Sequence, residues 1–218
     1  MKSIVIGAHL LRDDIEPLAQ AMVQAIPIGD LWLSAHEVAD DQPLGDRDLL
    51  IRIAGLRARL LDAATFIAIR YGFAVSSAEE AQRKCASRID KWRATLTANR
   101  GNVEMTLKAA AATRVARPDR GDFKTGADYL HALHRSAVAA NADPHFVDAA
   151  NRFLAPLAIA HRWLHRDEKS VELVTLVARE NVDDVRAAGE RLRAECPDVP
   201  FLLSGPWPLE VFADDDHE

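Results

Sequence analysis

Thr65-Phe66-Ile67-Ala68-Ile69-Arg70-Tyr71-Gly72 is dense in β-formers and closed by glycine, which reads as a strand. The residues that follow decide the fold. Ser77 and Glu80 fit a capping box, in which the serine hydroxyl satisfies a free amide and the glutamate reaches back. Ala81, Cys85, Ile89, Trp92 and Leu96 recur at helical spacing, and Asn99-Arg100-Gly101 stops that helix. Val103, Met105 and Leu107 then alternate with Glu104, Thr106 and Lys108, the pattern of a half-buried strand. The order is strand, helix, strand. It returns further on: Val171 to Ala178 is a β-branched run, Asn181 caps a helix carrying Val182, Val185 and Leu192, and Pro197 and Pro200 bracket the turn into Phe201-Leu202-Leu203. Two such halves predict a ferredoxin-like sheet of four antiparallel strands with helices on one face.

Outward from this core, residues at about 113–168 read as a helical insertion between the halves. Thr113 to Lys124 is a polar loop, and Thr125 with Asp128 caps a helix to about Ala140. Asp143 then serves as N-cap with Pro144 at the first helical position, and that helix is expected to reach about His165 with a kink at Pro156. Toward the amino terminus, Ser3 to Gly7 reads as a strand and Asp13 to Ala25 as a short helix interrupted by Pro17. Leu31, Leu33 and Ala35 alternate with Trp32, Ser34 and His36 as a second strand. A helix starts near Asp48, with Leu49, Ile53, Leu56, Leu60 and Ala64 on one apolar stripe. The fold class predicted is therefore α+β with two domains: a small N-terminal α/β domain over residues 1–64, and a ferredoxin-like domain with its helical insertion over 65–218.

Composition removes several function classes. The chain has 218 residues, 49% hydrophobic and 28% charged, enough to bury a core and too apolar for a disordered segment. A net charge of −6, no basic block and the acidic Asp214-Asp215-Asp216 argue against nucleic acid or an anionic membrane surface as partner. No stretch approaches the roughly 18 apolar residues of a membrane span, and the run after Met1 is too short for a signal peptide. Cys85 and Cys196 read as reduced, buried thiols of a cytosolic protein.

The residues offer few chemical motifs. Phosphate-binding glycine loops, H-E-x-x-H and a nucleophile elbow are missing. His161 and His165 sit one helical turn apart on the expected insertion helix, and His131 and His134 on the preceding one could complete a zinc site if the two pack antiparallel. This carries the alternative of a metal-dependent or small-molecule enzyme; scattered histidines in an insertion are the plainer explanation. The acid pairs Asp13-Asp14, Asp40-Asp41, Glu79-Glu80 and Asp183-Asp184 are better explained by helix capping than by catalysis. Arg70, at the end of an apolar strand, must reach solvent or a carboxylate, and Glu104 on the strand expected beside it is a candidate partner. Ser204-Gly205-Pro206-Trp207-Pro208 stiffens the chain around one indole, which it either pins or presents. No catalytic, cofactor-binding or metal-binding residue is assigned.

Four segments together resemble the gas vesicle protein GvpF/GvpL family. Leu203-Ser204-Gly205-Pro206-Trp207-Pro208 with Val211-Phe212 is similar to the family's "TGPWPPYSF" ending, and Ile69-Arg70-Tyr71-Gly72 to its "PVRFGT" strand. Asn102-Val103-Glu104-Met105 with Lys108 resembles "VEWGVK", and Thr125-Gly126-Ala127-Asp128-Tyr129-Leu130 resembles "SGRDYL". Ala68 stands where the family usually has proline and Phe73 where it has threonine, so the chain looks like a divergent member. The resemblance implies a two-domain α+β protein with a modified ferredoxin-like C-terminal domain. It also implies a non-enzymatic, cofactor-free role in the cytoplasm, associated with gas vesicles, through binding of the hydrophobic shell protein or other vesicle accessory proteins. Arg70, Tyr71, Glu104 and Trp207 lie on the family's motifs and are the candidate protein-binding residues.

Overall fold

The computed structural model describes residues 1–16, 18, 23–110, 120–123, 125–130, 143–167 and 170–213. It is an α+β structure with two antiparallel sheets. Compactness divides the chain into a first unit, residues 1–103 with 207–218, and a second, residues 104–206. The sequence places its boundary after residue 64 instead.

In the first unit the chain runs through β1 (Lys2–His9), β2 (Val23–Ile28), β3 (Leu31–Val38), α1 (Arg47–Ala63), β4 (Ile67–Ala68), β5 (Ala74–Val75), α2 (Ala78–Cys85) and α3 (Ile89–Ala98). The sheet order is β2-β3-β1-β4, and β5 also pairs with β1. β1 is thus an inner strand, antiparallel to β3 from Lys2↔Val38 to His9↔Trp32 with a register shift between Val5 and Gly7. Both of its faces are covered: Ile4, Val5, Ile6 and Ala8 have no exposed surface. The α1 stripe expected from the spacing is the one buried, with Leu49, Ile53, Leu56 and Leu60 inward, and Asp46 capping the helix through its bond from the Leu49 amide at 2.9 Å.

Three expectations for this unit change. Residues 65–72 are not one strand; only Ile67 and Ala68 are strand. Gly72 takes φ 94°, the left-handed region that glycine enters freely, and a turn from Arg70 to Phe73 separates β4 from β5. Both short strands pair with β1, so β4 belongs to the first sheet and is not a neighbour of the Glu104 strand. The helix expected from Ser77 to Ala98 is broken by a 3-10 turn at Ala86–Arg88, while its buried spacing of Ala81, Cys85, Trp92 and Leu96 persists across the break. Finally, of the helix expected over Asp13–Ala25, Asp13 and Asp14 lie in a 3-10 turn and Val23–Ala25 in β2, whose Pro27 is tolerated because β2 lies at the sheet edge; Pro17 and residues 19–22 lie outside the described residues.

The second unit contains most of β6 (Asn102–Ala110), then α4 (Pro144–Leu154), β7 (Ala160–Asp167), β8 (Ser170–Ala178), α5 (Val182–Glu195) and β9 (Phe201–Trp207). The sheet order is β7-β8-β6-β9. α4 begins as expected: Asp143 accepts from the His145 amide at 2.8 Å and Pro144 occupies the first turn. It ends far earlier than expected, at Leu154. Ala155–Leu157 is a 3-10 turn containing Pro156, and residues 160–167 form β7, antiparallel to β8 from Ala160↔Leu176 to Asp167↔Ser170. Proline removes a helical amide donor and clashes with the preceding turn, which terminates the helix here. Within the expected insertion, residues 126–130 are helical; His131, His134 and most of the loop at Thr113–Lys124 lie outside the described residues.

One cluster in the first unit is tightly constrained. A methyl group on Gly7 would stand 2.3 Å from Phe66 Cδ2. The Phe66 ring stacks on His9, with centroids 5.1 Å apart, and His9 Nε2 lies 2.9 Å from Ser34 Oγ. The Ser34 hydroxyl donates to the Gly7 carbonyl at 3.3 Å, so His9 must donate from Nε2, and its bare Nδ1 is buried without a partner. Burial pushes the imidazole pKa down to about 3.

Two outcomes are expected. Gly7→Ala should cost about 1–3 kcal/mol by overpacking, lowering the urea midpoint at constant m, with partial recovery in the Gly7→Ala/Phe66→Leu double variant. His9 is neutral in the folded chain and titrates near 6.5 in the unfolded one. As pH falls below 6.5 the unfolded chain takes up a proton that the folded chain refuses, so stability declines toward pH 3 by on the order of a few kcal/mol. Urea midpoints between pH 7.5 and 4.5 should fall more steeply for the natural protein than for His9→Gln; equal slopes would contradict the assignment.

Candidate protein-binding site

The four candidate residues occupy different settings. Arg70 is exposed on the β4–β5 turn, and its carbonyl accepts the Phe73 amide at 3.3 Å. Glycine at position 72 lets this turn project the guanidinium outward, which is how a charge at the end of an apolar run reaches water. Tyr71 is half-buried, and its phenol donates to the Leu44 carbonyl at 2.6 Å, tying the loop before α1 to the turn. Glu104 is 2% exposed on β6, so its carboxylate is enclosed within the second sheet. Trp207 ends β9 and keeps 48% of its surface exposed. Arg70 and Tyr71 are chain neighbours on one turn. The pairing of Arg70 with Glu104 through adjacent strands does not occur, because β4 neighbours β1 while β6 neighbours β8 and β9.

The structure adds a surface that sequence reasoning passed over. The outward side of α1 carries Leu50 and Ile51, 41% and 59% exposed, with Ala54, Gly55 and Ala58 also exposed. Positions 51, 54, 55 and 58 follow the i, i+3, i+4, i+7 rule and form one stripe, flanked by Arg52 and Arg59. A Cβ on Gly55 would meet nothing within 4 Å. The signal was present as Leu49-Leu50-Ile51, three apolar residues in a row, which a helix with one buried stripe cannot all turn inward.

Polar chemistry converges less. His161 and His165 lie on β7, where four residues span about 13 Å in place of the one helical turn expected. Among the described residues no three histidine, cysteine, aspartate or glutamate side chains are arranged to hold a metal. Glu79-Glu80 and Asp183-Asp184 fall in the first turns of α2 and α5. Glu80 does cap, accepting from the amide and hydroxyl of Ser76 at 2.7 and 2.6 Å and pairing with Lys84 at 2.8 Å; the Lys84 bond first, then Ser76, holds its carboxyl down to about 2. Cys85 is buried, and desolvation raises its thiol pKa. Cys196 lies 3.6 Å from His145 Nδ1, a contact no sequence pattern announced. Burial, then Glu195 and Asp143, push that thiol up, so it stays protonated and is no thiolate nucleophile. A mixed-charge cleft of about 400 Å³ at the start of α1 is lined by His36, Glu37, Asp46, Asp48 and Arg52, with Asp46 already committed to the helix cap.

The C-terminal motif is split by its surroundings. In the second unit the Ser204 hydroxyl donates to the Thr106 carbonyl at 3.3 Å, which fixes β9 on β6. In the first unit Leu209 bridges Ile67 in parallel, with Leu209 N to Phe66 O and Ala68 N to Leu209 O both at 2.9 Å.

Comparison with known proteins places this arrangement. The whole fold is similar to the crystal structure of the gas vesicle protein GvpF from Anabaena sp. PCC7120, with TM-score 0.69 and 12% identity, covering 99% of both chains. It is equally similar to GvpF from Microcystis aeruginosa, with TM-score 0.69 and 11% identity over 98% of this chain and 99% of the other. At such identities the likeness is one of fold. No curated protein matches in sequence. The family model described as gas vesicle synthesis protein GvpL/GvpF matches residues 7–213, and with nearly its whole length so accounted for, this chain is a member of the GvpL/GvpF family.

Proposed function

We propose that the protein acts in gas vesicle formation as a non-enzymatic accessory protein, binding the hydrophobic vesicle shell protein or other vesicle proteins in the cytoplasm. The observation that carries this reading is the family match over residues 7–213. The physical case is that a very apolar building block needs a partner to cover it before it polymerises, and binding of the unpolymerised form shifts the equilibrium by mass action. The outward stripe of α1 and the half-exposed Trp207 supply apolar surface for that purpose, and Arg70 and Tyr71 supply a polar edge. No helix among the described residues is long and apolar enough to cross a membrane. We also read the second unit as the modified ferredoxin-like domain, a reading supported by its β-α-β-β-α-β order from β6 to β9.

The test is co-expression with the shell protein of the same organism, measuring the fraction of shell protein that stays soluble. The natural chain should keep it soluble. Ile51→Glu and Trp207→Ala should each lower that fraction several-fold, and Ile51→Glu should do so with the thermal midpoint within a few degrees, since surface substitutions away from caps and cores seldom exceed about 0.5 kcal/mol. Shell protein that aggregates equally with and without the natural chain would end the reading.

A further inference from the structure

The outward side of α1 has unlike margins. At about 100° per residue, Ile51, Gly55 and Ala58 run along its middle, Arg47 and Ala54 fall to one edge, and Arg52 and Arg59 to the other. The two arginines are seven residues apart, so they form one row about 10 Å long beside the apolar strip. Both are exposed, and neither takes part in an ion pair or hydrogen bond among the described residues. Asp48 precedes Arg52 by one turn on the same edge without pairing with it; its charge lies in the first turn, where it complements the helix N-terminus. Acids outnumber bases 33 to 27 in the chain, so two uncompensated guanidinium groups beside open apolar surface run against its charge.

A Cβ on Gly55 would meet nothing within 4 Å, so the axis of another helix can approach to about 8 Å and fill the strip with bulky side chains. Anchors spaced i, i+3, i+4 and i+7 suit a helix as occupant, and the arginine row fixes the charge of that helix's edge. A second copy of the chain does not answer the description. Antiparallel pairing about a two-fold axis sets arginine row against arginine row, and parallel pairing offers the row Arg47, Leu50 and Ala54, none of them acidic. Resting on the role proposed above for this face, we propose that it docks an amphipathic helix of another protein, with bulky apolar residues on Ile51, Gly55 and Ala58 and acidic residues about seven apart facing Arg52 and Arg59. Charge then selects the partner and sets its register, while the apolar strip supplies most of the affinity.

The probes are two fluorescent, helix-stapled peptides of about 18 residues, matched to the length of α1. They share a leucine seam and differ only in carrying glutamate or lysine at two positions seven apart on one edge. The glutamate peptide should bind the full chain saturably and the lysine peptide about 10-fold more weakly, as two exposed pairs turn from attraction to repulsion. That preference should shrink in about 0.5 M salt, which screens exposed charges. Arg52→Glu/Arg59→Glu should invert it, Arg47→Glu should leave it unchanged, and Ile51→Glu should weaken both peptides, each variant keeping its thermal midpoint within a few degrees. Equal binding of the two peptides, or a preference unmoved by reversing both arginines, overturns the acidic occupant and leaves the shell-protein solubility test standing on its own. Failure of that solubility test with the peptide preference intact ends the vesicle role and not the docking site. Binding of neither peptide, or tighter binding to anionic lipid vesicles than to the glutamate peptide, overturns the site itself.

Discussion

Burial of β1 on both faces is the constraint on which the first unit rests. A strand with Ile4, Val5, Ile6 and Ala8 wholly enclosed has no solvent face on which an error of register could be accommodated. It needs a hydrogen-bonding neighbour on each side, since unpaired backbone groups at such depth cost as much as lost hydrogen bonds. β3 provides one side through a long antiparallel ladder. The other side is assembled piecemeal from β4, β5 and the bonds Ile69 N to Ile6 O and Val5 N to Phe73 O. The register shift at Val5/Gly7 places Gly7 where Phe66 can lie against the backbone, and the Phe66–His9–Ser34 contacts return to the Gly7 carbonyl. A neutral imidazole is the form this site tolerates, because nothing nearby compensates a charge.

This requirement explains what the sequence made legible and what it hid. Elements whose signal is local were readable: the α1 stripe, the Asp143-Pro144 start of α4, the alternation in β6, the β-branched run of β8 and the buried spacing of α5 all follow from residues within one or two turns of each other. The partner of a strand is not local. Residues 65–72 look the same whether they pair with β1 or with β6, and only the need of β1 for a second neighbour decides it. The same holds for residues 160–165, whose pattern does not distinguish a helix from a strand; the antiparallel ladder to β8 settles the matter, and Pro156 is a local herald of it. Of the candidate site, Arg70 and Trp207 could be named because charge or a flanking proline pair makes them stand out. The α1 surface could not, because an outward apolar residue is visible only once the inward ones are known.

The C-terminal segment extends this logic to the division into units. A boundary after residue 64 would cut β1 off from β4 and β5 and leave its second side open. The unit that satisfies β1 must run on through α2 and α3, and β4 in turn presents an edge that Leu209 closes. Residues at the two ends of the chain thus belong to one core, and residues 104–206 are a continuous excursion from it. This is why the family motif at Leu203–Phe212 reads as one conserved-looking phrase yet serves two structures: Ser204 fixes β9 to β6, and Leu209 completes the first sheet.

In the role proposed above, the two sides of α1 separate folding from binding. Leu49, Ile53, Leu56, Leu60 and Leu61 already supply its contact with the core, each fully buried apolar side chain being worth roughly 1.5–3 kcal/mol. Leu50 and Ile51 gain little of this while they remain exposed. A helix that needed only solubility would carry lysine or glutamate at positions 51, 54, 55 and 58, both better solvated than isoleucine and better helix formers than glycine. Gly55 makes the point most sharply: it costs about 1 kcal/mol of helix propensity relative to alanine, and a Cβ there would meet no neighbour. A small residue between alanines on an open helix face allows another backbone to come close, so in the proposed role the stability it forfeits would be returned by the partner that covers it.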